Sequence, residues 1–312
     1  MGDGVEYRRA RTEVARCIRA GFFRAPRKRS VVFAGSAIAL SAFLSTVTLD
    51  AAFSSDLGLQ PANPSAPPAG SIDSGWVATL KATGESLPDW EGAKSHSFLS
   101  YPSISLRRSD AREWSAPDDG LDFSVYDASG FSIGPVARYE LGRYRNDDPR
   151  RLFGIHDVSW TIEPGIFAEF WAIPDMFRTR LEIRHGLDTR NGFVADAAAD
   201  YVLRFGAATF AVGPRLSFGD RDFMRRQFGV NLTDSLQNGA VSPFRPDGGP
   251  KSAGVATSLT YDFSKQWSAV IYGGYDRLVD DAAKSPLVRK LGSADQFQAG
   301  LTLSYSFSLH GL

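Results

Sequence analysis

Apolar and polar residues alternate strictly along the last predicted strand of this 312-residue chain. From 297 to 307 the odd positions hold Phe, Ala, Leu, Leu, Tyr and Phe, whereas the even positions hold Gln, Gly, Thr, Ser and Ser. Successive side chains on a strand point to opposite faces, so one face is apolar and the other is small and polar. The same alternation predicts strands over about 76–82, 98–107, 121–127, 131–141, 158–171, 176–187, 192–205, 208–218, 252–263, 267–275 and 296–307.

Charged side chains occupy the polar face of several of these segments. The clearest row is Arg178, Arg180, Glu182 and Arg184, which alternates with residues that are mostly apolar. A soluble core cannot bury such a row unpaired. A soluble sandwich that exposes the charged row would fit any single segment, but it fits the repeated pattern less well. The pattern therefore predicts an all-β fold, a transmembrane antiparallel up-and-down β-barrel of about 10–12 strands with lipid outside.

The connections between the predicted strands fall into two length classes. Those at 127–130, 173–175, 206–207 and 264–266 are short, whereas those at 142–157, 219–251 and 276–295 are long. Outer-membrane barrels keep short turns on the periplasmic side and have an even number of strands. Eleven segments therefore mean that one strand is missed or one is false. We interpret 219–251 as one excursion, in which Phe223–Val230 forms a hairpin arm or a short helix.

The first 73 residues predict export. Nine basic residues precede or flank an apolar stretch over 30–49, and small residues follow at Ala51 and Ala52. This order is typical of a cleaved secretory signal over 1–52, with a retained membrane anchor as the alternative. Residues 53–73 contain four prolines and predict a disordered tether, so that 74–312 forms the barrel.

Charge and cysteine content exclude some classes of function. Residues 1–52 hold nine of the 35 basic and four of the 35 acidic residues, which leaves 26 basic and 31 acidic residues, a net charge of −5. This balance argues against nucleic acid as a partner. Cys17 is the only cysteine and precedes the predicted cleavage site, so the mature chain would have no disulfide or thiol chemistry.

The polar strand faces predict a charged barrel interior. Its members are Arg178, Arg180, Glu182, Arg184, Glu163, Glu169, Asp196, Asp200, Arg138 and Glu140. Opposite charges on adjacent strands favour pairing across the sheet. We interpret the set as a network that fills a narrow lumen, and a selectivity filter for small solutes is the alternative.

Other candidate chemistry is sparse. His156 and Asp157 are adjacent, but neighbouring strand residues point to opposite faces, so we expect neither a catalytic pair nor an enzyme. No histidine spacing or calcium-loop pattern predicts a metal, and we expect no cofactor. We interpret Asp118-Asp119 and Asp280-Asp281 as solvated loop charges. Trp90 and Trp114 lie in connections as candidate partner contacts. The aromatic residues near the strand ends are assigned to a belt at the membrane surface, and they are Trp76, Phe98, Tyr139, Trp160, Trp171, Tyr201, Phe218, Trp267, Tyr275 and Tyr305.

Several short motifs resemble a known family. Pro88-Asp89-Trp90-Glu91-Gly92 begins the series, and later blocks contain Gly142, Arg143, Asp157, Phe228, Gly229, Val230, Arg277, Leu278, Ser285 and Pro286. Together they resemble the MltA-interacting protein/outer-membrane protein V (MipA/OmpV) family. One departure is the ending, because Phe307 is followed by five further residues where such barrels usually end on an aromatic residue.

The resemblance implies a location and a role. It implies an outer-membrane barrel in contact with lipid in a Gram-negative envelope, acting as a non-catalytic scaffold alongside murein-processing enzymes. A narrow channel for small solutes is the first alternative, and an outer-membrane hydrolase is the second. The sequence leaves the oligomeric state open.

Overall fold

The wall of the barrel consists of eleven strand positions in a computed structural model that describes residues 75–108, 114–187 and 192–309. The strands are β1 (Trp76–Pro88), β2 (His96–Arg108), β3 (Leu121–Asp122), β4 (Tyr126–Ala128), β5 (Phe131–Glu140), β6 (Thr161–Ile173), β7 (Phe177–His185), β8 (Phe193–Phe205), β9 (Ala208–Gly219), β10 (Gly249–Asp262), β11 (Trp267–Leu278) and β12 (Asp295–Leu309). The short strands β3 and β4 both pair with β5, so together they fill one position.

Every pairing in the sheet is antiparallel, and the first and last strands meet. From β5 to β12 each strand pairs with the next, and β12 returns to β1 with Trp76 opposite Leu309. β1 then pairs with β2. Within the described residues β2 and β3 are not paired with each other, so the barrel is nearly closed. The predicted all-β antiparallel barrel is confirmed.

The two faces of the wall separate apolar from polar residues as the alternation predicts. Leu301, Ile271 and Ile166 are all more than half exposed on the outer face. On the inner face Arg178, Glu163 and Asp200 are almost fully buried. An apolar outer band around a polar interior is the arrangement that lipid requires of a barrel.

The strand ends define two sides of the barrel. The turn side carries the short connections at 129–130, 174–176, 206–207 and 263–266, together with the start of β1 and the end of β12. The loop side carries the connections at 89–95, 141–160, 220–248 and 279–294. By the usual rule for outer-membrane barrels, the turn side faces the periplasm and the loop side faces the exterior.

One pass of the chain runs inside the barrel instead of in its wall. β2 ends at the turn side, whereas β3 begins nearer the loop side, opposite Ala137, and then descends. Residues 114–120, the interior segment, lie between them and contact side chains of the lumen. Within the described residues, the wall has eleven strand positions and the interior segment lies inside them. Its sequence explains why it is not part of the wall, because Pro117, Asp118 and Asp119 suit neither a lipid-facing row nor a ladder of hydrogen bonds.

The loop-side connections fold into a compact cap over the barrel. The cap contains α1 (Arg221–Phe228), α2 (Leu232–Asn238), α3 (Asp280–Lys284) and a π-helical turn (Leu287–Leu291). The Asp220 side chain accepts a hydrogen bond from Phe223 N and starts α1, while Asn231 and Asp234 form a capping box at α2. Of the two predictions for Phe223–Val230, the short helix is therefore correct. Among the helices of the described residues, none is long and apolar enough to cross a membrane.

Some predictions fall outside the described residues. The signal over 1–52, the tether over 53–73 and the last three residues of the chain lie there. Of the residues that follow Phe307, Ser308 and Leu309 belong to β12.

Candidate functional site

Arg178 is the centre of the ion-pair network in the lumen. Its guanidinium is fully buried and donates to three carboxylates, those of Asp119 (2.7 Å), Asp200 (2.6 Å) and Glu169 (3.2 Å). The Trp114 ring covers the same guanidinium at 4.7 Å. Each of its three nitrogens therefore has a hydrogen-bond acceptor, which is what a buried charge requires.

The network continues toward the loop side along β7. Arg180 Nε donates to Glu182 at 3.0 Å, and Glu182 also accepts from Arg138 at 3.0 Å. Arg184 pairs with Glu182, Asp196 and Glu163. Of the ten predicted lumen residues, the structure joins nine into this one network, from Glu169 and Asp200 up to Glu163. The tenth, Glu140, lies apart and accepts from Gln227 at 3.4 Å.

The interior segment is bound into the same network, which corrects one prediction. Asp118 accepts from Arg215 at 2.6 and 3.1 Å, and Asp119 accepts from Arg178. The acidic pair is therefore not a solvated loop charge. Asp280 and Asp281 do lie on the surface, where both accept from Lys284. Asp118 and Asp119 therefore pair with arginines of β9 and β7 and hold the interior segment against these strands.

Two tryptophans assigned to the surface also lie inside. Trp171 is 3% exposed and points into the lumen, where its indole N–H donates to Glu169 at 2.8 Å. Trp114 packs edge-on against Trp171 with ring centroids 5.9 Å apart. The belt assignment of Trp171 is wrong because a polar partner inside the barrel outweighs the membrane surface, and Trp114 is a lumen contact, not a partner contact.

The opposite wall of the lumen is small and polar. On β10, β12 and β1 the inward positions hold residues such as Ser258, Thr302 and Thr79, and Thr302 is hydrogen-bonded to Thr83 at 2.9 Å. A small cavity lies between this wall and the interior segment, lined by Trp114, Asp118, Asp200, Arg215, Ser258, Tyr272 and Gln298 among others. Charge is thus concentrated on β5–β9, and the remaining space lies along β10–β12.

The family-motif residues gather at the loop side, mainly in the cap. They comprise Gly142, Arg143, Asp157, Phe228, Gly229, Val230, Arg277, Leu278, Ser285 and Pro286, and eight of them are buried. Asp157 accepts from Arg145 N at 2.8 Å, and Arg277 pairs with Asp295 at the top of β11. Ser285 Oγ donates to Phe228 O at 2.7 Å and links α1 to the π-helical turn. The motif residues therefore build the cap rather than a reactive site in the lumen.

Arg143 carries a buried positive charge in the cap. Its Nη1 donates to Gln227 O at 2.5 Å, and its guanidinium lies 5.8 Å from the Trp90 ring. Burial lowers the pKa of Arg143 to about 10, because desolvation disfavours the charged form. The side chain stays protonated at neutral pH and links the 141–160 connection to the end of α1.

Two apolar clusters fill the cap, and Trp90 belongs to one of them. Trp90 is 3% exposed and packs with Leu152, Ile155, Val230 and Leu287, so it is a core residue and not a partner contact. The second cluster joins Val194, Phe223, Met224, Phe228, Leu278, Ala282 and Val288. Burial of so many apolar side chains gives the cap a core of its own.

His156 has a different partner from the one its sequence neighbour suggests. Its Nδ1 lies 2.6 Å from Asp234 Oδ2, and its backbone N–H donates to Asp234 Oδ1 at 3.0 Å. Asp157 instead pairs with Arg145. Because Asp234 also caps α2, the pair fixes the 141–160 connection to that helix. No hydroxyl or thiol nucleophile contacts His156 in the described part of the chain.

We expect Gly292→Ala to loosen the cap. A Cβ at this position would lie 1.9 Å from Gly92 O, and backbone atoms cannot move aside without breaking the Ser293 N to Gly92 O bond. Trypsin should then cleave faster after Arg289 and Lys290, which are exposed beside the site. Gly249→Ala is the matched control, because its Cβ would meet only one atom, at 3.8 Å. Equal cleavage of the two variants would contradict this account of the cap.

The fold defines an outer-membrane β-barrel whose lumen is crossed by its own chain and whose loop side is capped. The family model described as MltA-interacting protein MipA matches residues 80–307. The chain belongs to this family, and the resemblance drawn from its motifs is confirmed.

Other similarities concern single proteins. Outer membrane protein OmpV of Vibrio cholerae serotype O1 is 23% identical over 198 residues, covering 62% of this chain and 74% of that protein. Two solved structures are similar. The NanC porin is 11% identical with a TM-score of 0.38, and the match covers 72% of this chain and 98% of that one. The outer-membrane channel COG4313 of Pseudomonas putida F1 is 11% identical with a TM-score of 0.37, and the match covers 77% of this chain and 99% of that one. The protein is located in the outer membrane.

Proposed function

We propose that this barrel is a non-catalytic scaffold of the outer membrane that serves a murein-processing enzyme on its periplasmic side. The observation that carries the proposal is the occupied lumen, because the interior segment and nine of the predicted charged residues fill the barrel with paired groups. A barrel filled in this way works through its surfaces. The family description, MltA-interacting protein, names a partner for members of the family and supports a protein partner here.

A murein enzyme reaches only the turn side. This side carries the exposed charged residues Arg204, Asp175 and Lys265, whereas the cap faces the exterior. The proposal therefore assigns the enzyme contact to the turns and the two chain ends, and assigns the cap to sealing the barrel.

Conductance and partner capture test the scaffold together. The purified protein in planar bilayers should show no steady conductance, and it should retain a membrane-bound murein transglycosylase on an affinity resin. Arg204→Ala combined with Lys265→Ala should weaken capture, while Arg289→Ala combined with Lys290→Ala on the cap should leave it unchanged. Large stable conductance, or capture lost only with the cap variant, would contradict the proposal.

A narrow channel for small solutes is the second candidate. It is favoured by the small polar wall of β10–β12 and the cavity beside the interior segment. A channel of this kind would show small steps in the unaltered protein, and Ser258→Trp should abolish them by filling that wall.

A further inference from the structure

A group of carboxylates lies just beneath the cap, above the ion-pair network. We define the carboxylate chamber as Glu91, Glu140, Glu163 and Asp276 around Lys251. Lys251 Nζ pairs with Glu91 Oε1 at 2.7 Å and interacts electrostatically with the other three carboxylates. Of the nearby arginines, Arg138 is bound to Glu182, and Arg184 is shared among Glu182, Asp196 and Glu163 Oε2, which lies 3.5 Å from its Nε. Lys251 and the shared Arg184 therefore face four carboxylates.

Two carboxylate oxygens of the chamber have no partner within the described residues. Glu163 is 1% exposed and its Oε1 accepts no hydrogen bond, and Glu91 Oε2 is buried without a donor as well. Such oxygens normally find a donor when they are removed from water. The lower lumen differs, because Arg178, Asp119 and Asp200 satisfy one another there. The chamber thus holds two buried carboxylate oxygens without a donor and more negative than positive charge.

We propose that the carboxylate chamber binds a small organic dication, a diamine, through its ammonium groups. An ammonium carries three N–H donors and a full positive charge, so two of them supply what Glu163 Oε1 and Glu91 Oε2 lack. A bare metal ion fits less well, because no three acidic or histidine side chains of the described residues converge as metal ligands. Charged ammonium groups on a short chain can span separated carboxylates.

The chamber borders the small-residue wall. Lys251 lies at a bulge of β10 and its side chain is 13% exposed, and Asp276 on β11 is partly exposed beside it. Glu91 belongs to the cap and Glu163 to the wall, so a bound diamine would join the two parts of the molecule. The inference goes beyond the scaffold proposal, since it concerns neither conductance nor the turn side.

Calorimetric titration of the purified full-length protein with 1,4-diaminobutane tests the site. We expect saturable heat with the diamine and none with 1,4-butanediol, which has the same length and no charge. Glu163→Gln should weaken binding at least tenfold, about 1.4 kcal/mol. Glu85→Gln is the matched control and should stay within twofold, because Glu85 is a lumen carboxylate already bonded to Tyr272 at 2.7 Å.

Three results would overturn the inference. They are no heat from the diamine, equal affinity in Glu163→Gln, or displacement of the diamine by equimolar Mg²⁺, which would make the chamber a simple metal site. Heat-modifiable migration on gels shows that each variant has assembled. If Glu163→Gln does not assemble, Glu140→Gln on the neighbouring strand replaces it with the same expected loss. The two proposals fail separately. Loss of partner capture would contradict the scaffold, whereas absence of diamine binding would contradict only this inference.

Discussion

Replacing Asp118 and Asp119 by alanine should turn a silent barrel into a conducting one. These two carboxylates bind the interior segment to Arg215, Arg178 and Arg180. Removing one partner of a buried pair costs roughly 3–5 kcal/mol. We expect this loss to outweigh the remaining contacts of the segment, in which Trp114 packs on Trp171 and Gly120 N donates to Glu182. Arg178 would keep Glu169 and Asp200, and Arg215 would keep Asp200, so the wall should persist. Single-channel recording should show discrete steps where the unaltered protein shows none.

The control variant removes two carboxylates as well, but from the cap instead of the lumen. Asp280→Ala combined with Asp281→Ala removes two carboxylates from the surface of the cap, where Lys284 is their partner. That variant should remain silent. Removing a charge pair within the wall, with Arg180→Ala and Glu182→Ala together, should also raise conductance. A silent Asp118/Asp119 variant that is heat-modifiable would show that the interior segment does not close the lumen.

Leu301→Arg should prevent assembly of the barrel. Leu301 lies midway along β12 and is 52% exposed on the lipid face. A charge at mid-bilayer on a barrel exterior costs roughly 2–4 kcal/mol. Heat-modifiability on gels and recovery from the outer-membrane fraction measure the loss, and Leu259→Arg on β10 should repeat it.

The neighbouring residues provide the comparison. Thr302 faces the lumen beside Leu301, and Ser258 does so beside Leu259. Thr302→Arg and Ser258→Arg should assemble better than their lipid-facing counterparts, because an inward arginine meets water and carboxylates instead of lipid. Equal failure of all four variants would mean that the assignment of faces is wrong.

The strands could be predicted from the sequence because their signal is local. The alternation along β7 places Arg178 and Leu181 on opposite faces without any knowledge of neighbours, and the structure places them so. Antiparallel pairing of consecutive strands then follows from the short turns. The same reasoning finds the charged lumen, since β6 and β8 carry the carboxylates that face the β7 arginines.

The interior segment has no comparable signal. Asp119 and Arg178 are 59 residues apart and Asp118 and Arg215 are 97 apart, and nothing periodic connects them. The even-strand rule indicated only that one strand was missed or one was false, and it did not give a position. The prediction for Trp171 was wrong for a related reason. A tryptophan at a strand end can lie at the membrane surface, or it can point into a lumen where a carboxylate accepts its N–H.

The cap joins segments that are far apart in the sequence, and this separation limits when the cap can form during folding. Gly92 N donates to Gln296 Oε1 across 204 residues of sequence, and Ser293 N donates to Gly92 O. Closing so long a loop has an entropic cost that only completed pairing of β1 with β12 offsets. We therefore expect the cap to form after β1 has paired with β12. Trypsin resistance at Arg289 and Lys290 should therefore appear when the barrel closes, later than the signals that report formation of the individual hairpins.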